Sequence, residues 1–584
     1  MPNPVPLPQS NPHTPNQADL LVDFLHQLKI DTVFGVPGGA IEPLYDALAR
    51  SERKGGPRII TARHESGAAF MADGYYRETG RLGVVCSTTG PGATNLITGV
   101  SSALSENVPM LVITAQTSLP KFGRRALQDS SCTAIDTVAM LKHCTLFNTL
   151  ISHPDQLRAK LIAATMSAQR KPGGPAHISI PSDILRAPAT AASRCHMDLL
   201  LNQFIFNDDS SVARLCEKLG RVDSMAVYID GGVGAATASV VKFCELTNTP
   251  FVVGLTGKYW VDETHPLYRG VYGFAGHESA RALLRGDVDL VLAVGAAMDE
   301  LSTAGWDSHL LNTKLVHIDN NLEHFARTPM ANLHVGGDIT AIFSHLISFV
   351  REQLLRGRRW LCCDPDARSN LYGGYAQLED QDKCLGASAP VKPQELMYHL
   401  SLKLPPETRI FIDAGNIWSW MTHYFCNRSQ EGYLRSGMNL GAMAWSVGAA
   451  VGSAAANPRV PTLCLVGDGA YLMSAQEITV AVQHQLPVIF MVLNDGAYGM
   501  VMHGQRLGGA EPVGWELTQV DYAALARAMG VKSLVIHSTH ELVDLDYQAL
   551  SRHPGPTLID VRLDREEVPP MAQRVRDLGT TPGG

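Results

Sequence analysis

Two aspartates that each follow an apolar run could together bind a divalent cation. Asp468 stands between Gly467 and Gly469 directly after TLCLV, and Asp495 follows a second run, VIFMVLN, 27 residues further on. This spacing leaves room for a turn, a helix and the next strand, and parallel strands present ligand sites at their carboxyl ends. Mg²⁺ prefers carboxylate, carbonyl and phosphate oxygens. Either segment alone is also typical of a tight turn, but the pair favours a magnesium-held diphosphate site.

A third carboxylate, Glu65, lies in the segment RHESGAA after the strand-like run RIITA. A glutamate after a strand is usually a solvated surface residue. Glu65, however, opens the apolar segment ESGAAFMADGYY, whose small residues suit close packing. Glu65 is therefore either a solvated surface residue or a carboxyl packed at the start of this helix, where it could serve in acid–base catalysis.

The elements that position these carboxylates form three blocks, in which short Val/Ile-rich runs that end in glycines alternate with helix-like segments. This alternation predicts an α/β fold with three doubly wound parallel sheets in series. The predicted boundaries are a disordered tail at 1–16, a first domain at 17–185, a linker at 186–210, a central domain at 211–350, a linker at 351–390, a third domain at 391–566 and a C-terminal tail at 567–584.

The composition excludes several classes of protein. A chain of 584 residues with 45% apolar and 18% charged residues is typical of a multidomain globular protein, and its net charge of −8 argues against nucleic acid or a membrane as partner. The apolar run at 441–456 is too short to span a membrane and predicts a tightly packed buried helix. Eleven cysteines without a CxxC pair, and a proline-rich start without the apolar centre of a secretory signal, favour the cytoplasm.

Several segments resemble those of thiamine diphosphate (ThDP) enzymes, and in particular the acetohydroxyacid (acetolactate) synthase branch. The stretch from Gly467 to Asp495 resembles the family's diphosphate motif, in which GDG is followed after just under thirty residues by NN or ND. RHESGA, FGVPGGAIEPLYDAL (34–48) and STTGPGATN (87–95) resemble further family segments. The resemblance covers nearly the whole chain after the tail. It implies pyrimidine-binding, central and diphosphate-binding domains in that order.

The resemblance also implies ThDP and Mg²⁺ as cofactors. Asp468, Asp495 and the backbone carbonyl of Ala497 would bind the metal, and Glu65 would share a proton with the aminopyrimidine ring and so activate the thiazolium carbon. Asp495 stands where many relatives have asparagine, which adds negative charge beside the diphosphate. The backbone carbonyl of Gly441 would accept from the 4′-amino group of the cofactor, and Met443 would support its bent shape. The full set of other implied cofactor-binding residues is Val36, Gly38, Asn416, Gly441, Met443, Gly467, Gly469, Ala470, Tyr498, Gly499, Met500 and Val501.

The substrate pocket departs from the family pattern. Leu127 replaces a phenylalanine, whereas the neighbouring Gln128 keeps a polar group near the reacting centre and is the second predicted catalytic residue. Gly504 replaces a tryptophan that selects the acceptor. Together with Gly39, these positions predict a pocket with room for a larger or different acceptor. His503 is either an acid–base group or an exposed loop histidine.

The reaction that these features predict is decarboxylation of a 2-oxoacid, with pyruvate as the default donor, followed by ligation to a carbonyl acceptor other than, or broader than, pyruvate and 2-oxobutyrate. The resemblance implies a homodimer or homotetramer with the site between subunits. One alternative is a non-ligating 2-oxoacid decarboxylase of the benzoylformate type. A flavin or nicotinamide oxidoreductase would leave Glu65 and the aspartate spacing unexplained, and a noncatalytic descendant should have lost Glu65 or Asp468.

The central domain leaves the question of FAD open. The segment DGGVGA (230–235) after a strand is an incomplete dinucleotide motif. Biosynthetic members of the family bind FAD in this domain through GMHG and GARFDDR segments. Here these segments read GFAG (273–276) and GAAMDE (295–300), so Ala297 replaces the arginine and Glu300 the second aspartate. Both departures count against FAD.

Overall fold

The computed structural model describes residues 14–189, 201, 208–361 and 368–571. Within these residues the chain forms three sheets of six strands, and the strands of each sheet pair in parallel. The chain divides into two compact units, Met1–Gln203 with the first sheet and Phe204–Gly584 with the other two. The predicted α/β class with three parallel sheets in series is confirmed. The predicted tails lie largely outside the described residues.

The first sheet is built around strands that are buried on both faces. Its strands are β1 Thr32–Gly35, β2 Arg58–Thr61, β3 Gly83–Ser87, β4 Met110–Gln116, β5 Phe147–Leu150 and β6 Pro175–Pro181. Their spatial order, β2-β1-β3-β4-β6-β5, reverses direction between β1 and β3. The helices are Gln17–Gln27, Glu42–Glu52, Glu65–Thr79, Pro91–Thr94, Ile97–Ser105, Thr137–Leu141, Leu157–Gln169 and Ser182–Arg186.

The second sheet reverses direction between its first and fourth strands. Its strands are β7 Met225–Ile229, β8 Phe251–Val253, β9 Tyr268–Val271, β10 Leu290–Val294, β11 Leu315–Asp319 and β12 Leu333–Gly336. Their spatial order is β12-β11-β10-β7-β8-β9. The helices are Asp209–Leu219, Thr237–Thr247, Glu278–Arg285 and Ile339–Leu355, the last of which extends past residue 350, where the sequence places the end of the domain.

The third sheet has the same strand order as the first. Its strands are β13 Arg409–Ile412, β14 Tyr433–Ser436, β15 Thr462–Gly467, β16 Val488–Asn494, β17 Lys532–Ile536 and β18 Thr557–Arg562. Their order is β14-β13-β15-β16-β18-β17, with the reversal between β13 and β15. The helices are Pro393–Lys403, Asn416–His423, Trp445–Ala456, Asp468–Ser474, Ile478–Gln483, Gly499–Gly508, Tyr522–Ala528, Thr539–Val543 and Tyr547–Ser551.

The small-residue helix of the third sheet is buried, as predicted. Trp445–Ala456 packs against β13 and β15, and its side chains from Trp445 to Ala455 are buried because glycine, alanine and serine allow close approach. The carboxylate of Asp413, at the end of β13, accepts from the backbone N–H groups of Ala444 and Ser446 and holds the start of this helix. Among the helices in the described ranges, none has the length and apolar character needed to cross a membrane.

Candidate cofactor site

A cavity of about 650 Å³ opens at the carboxyl edge of the third sheet. Asn416 follows β13, Asp468 follows β15 and Asp495 follows β16, and all three line the cavity. These are three adjacent strands that include the point where the strand order reverses, which is where open parallel sheets place their ligands. The structure thus brings the two aspartates to one crevice.

Asp468 joins the turns that follow β15 and β16. Its side chain is buried, Oδ1 accepts from the N–H of Gly469 at 2.7 Å, and Oδ2 accepts from the N–H of Gly496 at 2.8 Å. Burial raises the pKa of the Asp468 carboxyl to about 6, although these N–H groups stabilise its charged form. The carboxylate thus holds the two turns of the cavity wall together. Burial of its charge destabilises the fold unless a cation compensates that charge.

Asp495 adds a second charge close to the first. Its Oδ1 accepts from the N–H of Ala497 at 3.2 Å, and burial together with the charge of Asp468 raises the pKa of its carboxyl to about 7. The neighbouring Asn494 donates to Asp560 instead, so only the second residue of the Asn-Asp pair faces the cavity. Two carboxylates that repel each other, the buried Asp468 and the half-buried Asp495, are a suitable partial ligand set for Mg²⁺.

The metal would need oxygens beyond these two carboxylates. The described part of the chain contains no group of three or more His, Cys, Asp or Glu side chains that could hold a metal. The backbone carbonyl of Ala497, which lines the same wall, and the oxygens of a bound diphosphate complete a set that magnesium accepts. The residues present therefore fit a magnesium diphosphate.

Asn416 supplies an unsatisfied polar atom at this site. Its Oδ1 is buried and has no hydrogen-bond partner among the described residues. Gly499 packs so closely that a Cβ there would lie 2.6 Å from both the Asn416 amide nitrogen and Asp495 Oδ2. The helices Asn416–His423 and Gly499–Gly508 both begin here, so their free N–H groups favour an anion. These features also fit a diphosphate.

All of the cofactor-binding residues predicted in the third domain line this one cavity. Besides those above they are Gly441, Met443, Gly467, Gly469, Ala470, Tyr498, Met500 and Val501. Gly441 has a φ of +68°, which favours glycine, and a Cβ at Gly469 would lie 2.5 Å from the Tyr498 ring. Trp418 and Met438 also line the cavity but were not predicted, because an isolated Trp or Met has no spacing signal.

Two neighbouring residues on the helix Gly499–Gly508 differ in where they lie. His503 lines the cavity and is buried, with Nδ1 unpaired among the described residues, and burial lowers the pKa of its imidazole. The alternative of an exposed loop histidine is therefore wrong. Gly504 does not line the cavity, but a Cβ at this position would have no atom within 4 Å. The helix surface at Gly504 thus has space for a side chain.

Glu65 lies at the carboxyl edge of the first sheet. It is the first residue of the helix after β2, its side chain is 8% exposed, and its Oε2 accepts from Asn95 Nδ2 at 2.9 Å. The carboxyl is therefore buried and is not a solvated surface residue. Asn95 belongs to the GPGATN segment, but its contact with Glu65 joins residues 30 positions apart and has no signature in the sequence.

The other predicted residues of this unit are more exposed. Gly38 follows β1 and packs against Thr88, since a Cβ there would lie 2.5 Å from the threonine Cβ, and Val36 is half-buried beside it. Gly39 is exposed and open. Leu127 is 91% exposed, and Gln128 is exposed with a φ of +56°. The predicted pocket residues Gly39, Leu127 and Gln128 therefore all lie exposed on the first unit.

Comparison with family models defines the class of protein. The model "Thiamine pyrophosphate enzyme, N-terminal TPP binding domain" matches residues 15–140, the central-domain model matches 212–346, and the C-terminal TPP binding domain model matches 413–561. Each match falls on one of the three sheets. The chain belongs to the family of thiamine pyrophosphate (thiamine diphosphate) enzymes, which confirms the predicted enzyme class.

Within that family the chain is similar to acetolactate synthase large subunits. It is 29% identical to the isozyme 1 large subunit of Escherichia coli (strain K12), over 96% of this chain and 97% of that one. It is 30% identical to the isozyme 2 large subunit of the same organism, over 95% of this chain and 98% of that one. It is also 30% identical to the large subunit of Parasynechococcus marenigrum (strain WH8102), over 97% of this chain and 91% of that one. The predicted branch of the family is confirmed.

Proposed function

We propose that this enzyme is a ThDP- and Mg²⁺-dependent 2-oxoacid decarboxylating carboligase, with pyruvate as donor and an acceptor other than, or broader than, pyruvate and 2-oxobutyrate. The observation that carries the proposal is the convergence of Asp468, Asp495 and Asn416 on one cavity that suits a magnesium diphosphate. The similarity to acetolactate synthases supports ligation over simple decarboxylation. The described cysteines are unpaired, which favours a cytoplasmic location.

In this proposal the residues of the chain bind, orient and hold protons. ThDP, when bound, supplies a thiazolium carbon that adds to the substrate carbonyl and accepts the electron pair left when CO₂ departs. Asp468, Asp495 and the Ala497 carbonyl bind the magnesium, and Met443 supports the cofactor from the cavity wall. Glu65 holds the proton shared with the aminopyrimidine ring.

We assign residues 17–185 to pyrimidine binding, 211–350 to the central domain and 391–566 to diphosphate binding. Glu65 and Asp468 belong to different compact units of the chain. We propose that Glu65 of one subunit works with Asp468 of a second subunit, so that the functional unit is at least a homodimer. In this arrangement Gly39, Leu127 and Gln128 meet the substrate at the subunit boundary.

The function is tested by the products formed from mixed 2-oxoacids and aldehydes with ThDP and Mg²⁺. We expect one CO₂ released for each hydroxyketone formed, with CO₂ measured enzymatically and products identified by mass spectrometry. The Asp468→Ala variant controls for contaminating activity. Release of free aldehyde without ligation would establish the decarboxylase alternative, and absence of CO₂ would refute both.

The replacement Gly504→Trp is expected to narrow the range of acceptors. A Cβ at Gly504 would have no atom within 4 Å, so the position accepts a ring. In the proposed site between subunits, this ring would occupy volume otherwise open to an acceptor. We expect yields from bulky acceptors to fall about tenfold relative to those from pyruvate, in keeping with discrimination by pocket size. Mass spectrometry of competing products measures this ratio.

The matched control is Leu507→Trp, which adds a ring to an exposed position on the same helix. This control should leave the product ratio unchanged. An unchanged ratio in Gly504→Trp as well would contradict the placement of the acceptor pocket.

A further inference from the structure

The central sheet has the strand order of a dinucleotide-binding fold. Counted along the chain, its strands lie in the order 3-2-1-4-5-6 when read from β9 to β12. In such folds the diphosphate of the cofactor meets the N–H groups of the turn after the first strand, between strands 1 and 4. Here that turn follows β7 and lies beside the turn after β10. Whether the domain can bind a dinucleotide therefore depends on which groups lie in the crevice between these two turns.

The hydrogen-bond donors of this crevice already donate to a carboxylate of the chain itself. Oδ1 of Asp230, the residue after β7, accepts from the N–H of Gly231 at 2.8 Å, from the N–H of Gly257 at 3.0 Å and from the hydroxyl of Thr256 at 2.5 Å. The side chain is 2% exposed. The N–H groups that would meet a phosphate are thus already paired with an internal anion.

The backbone closes the space between the turn after β7 and the turn after β10. The N–H of Gly232 donates to the carbonyl of Gly295, in the turn after β10, at 2.8 Å. A Cβ at Gly232 would lie 2.7 Å from that oxygen, so the two turns are in direct contact. A phosphate group cannot enter between them without moving one of the turns.

The end of β8 also departs from a dinucleotide site. An acidic residue about 20 positions after the glycine turn normally binds the ribose. Here the residue after β8 is Gly254, and a Cβ at this position would lie 2.4 Å from Cγ of Asp230. Burial and the nearby charge of Asp299 raise the pKa of the Asp230 carboxyl to about 6. The field at this crevice is therefore negative and unfavourable for a phosphate.

We propose that Asp230 is a built-in anion that takes the place of a dinucleotide diphosphate, so that the central domain binds neither FAD nor a nicotinamide dinucleotide. The carboxylate also positions the short turn Gly257–Trp260, which lies between β8 and β9 and contacts the third domain. In that turn Lys258 Nζ donates to the carbonyl of Phe425 at 2.6 Å, and the Tyr259 hydroxyl lies 2.5 Å from Ser436 Oγ. Asp230 thus contributes to docking of the two domains.

The first test measures dinucleotide binding by the wild-type enzyme and needs no turnover. The protein is expressed with a riboflavin supplement, incubated with FAD, desalted and scanned for flavin absorbance, and NADH binding is followed by its fluorescence. We expect neither ligand to be retained. Flavin or nicotinamide retained in proportion to protein would overturn the proposal, whether or not the enzyme proves to be a carboligase.

The second test removes the carboxylate. Asp230→Gly removes an acceptor that three donors share, and of these only the N–H of Gly231 keeps another acceptor among the described residues, the Thr256 hydroxyl at 3.1 Å. We therefore expect the thermal midpoint to fall by several degrees and sodium formate to restore part of the loss. Sodium chloride at the same ionic strength is the control for the salt, and the wild type is the control for the protein. Equal effects of formate and chloride on the variant would contradict the anion role. If Asp230→Gly does not fold, dinucleotide retention by the wild type remains the test of the proposal. The thermal midpoint of the isosteric Asp230→Asn, which should lose less stability, is then measured in place of that of Asp230→Gly.

Discussion

The Glu65→Gln enzyme is expected to turn over about 10²–10⁴ times more slowly than the wild type, which is the usual contribution of a general acid or base. Glutamine has nearly the shape of glutamate and its oxygen can still accept from Asn95, as Oε2 of Glu65 does at 2.9 Å. An amide, however, cannot share and return a proton. We therefore expect kcat to fall while the affinity for ThDP stays within a few-fold of the wild-type value. Initial rates of CO₂ release and a ThDP titration measure the two quantities separately.

A matched control for this variant is Asp73→Asn on the same helix. Asp73 is also a buried carboxylate, but it pairs with Arg77 at 2.5 Å and has a structural contact of its own. Its replacement should lower stability and leave kcat largely intact. Turnover close to normal in Glu65→Gln would remove Glu65 from the catalytic role.

The Asp468→Ala enzyme is expected to bind Mg²⁺ and ThDP about a hundredfold more weakly or worse. Changes in residues that only support a metal ligand already cost roughly 10–100-fold in affinity, and this change removes a proposed ligand itself. It also frees the N–H groups of Gly469 and Gly496, which the carboxylate now holds at 2.7 and 2.8 Å. Trp418 lines the same cavity, so quenching of tryptophan fluorescence during a ThDP titration reports binding without turnover.

Asp413→Asn provides the comparison for Asp468→Ala. Asp413 is equally buried at the end of β13, but its carboxylate holds a helix start and does not line the cavity. This variant should lose stability and keep the wild-type dependence on Mg²⁺. Titration curves that do not change in Asp468→Ala would contradict the proposed metal site.

The two variants together test whether the site is shared between subunits. If Glu65 of one subunit works with Asp468 of another, a mixed dimer of Glu65→Gln and Asp468→Ala chains contains one intact site and one doubly altered site. Co-expression of the two inactive chains should then restore part of the activity. No recovery in isolated mixed dimers would place both residues of each site in one chain.

Residue patterns along the chain predict the strands at the centre of each sheet and the residues at their carboxyl ends. β4 and β16 are buried at every position, and a strand covered on both faces reads as a continuous apolar run. The turn that follows such a strand is then known to within a residue or two. Asp468 and Asp495 were predicted in this way, and they line one cavity together with the third-domain residues that the family resemblance implies.

Five of the six edge strands became apparent only in the folded structure. β5, β9, β12, β14 and β17 each lie at the edge of a sheet and none was predicted. β5 (FNTL) and β17 (KSLVI) are largely half-buried, so their residues satisfy neither an apolar run nor a strict alternation. They are strands because a neighbouring strand offers hydrogen-bonding groups, and that neighbour is distant in the sequence.

The same limit applies to the contacts that give individual side chains their roles. Three examples depend on partners from separate segments of the chain. They are the burial of His503, the hydrogen bond from Asn95 to Glu65, and the hydrogen bond from Gly257 to the Asp230 carboxylate. Local residue patterns predict which strands are buried, because a buried strand needs apolar side chains at successive positions along its own length. The partner of a polar group is set by three-dimensional packing, and no single segment of the sequence contains it.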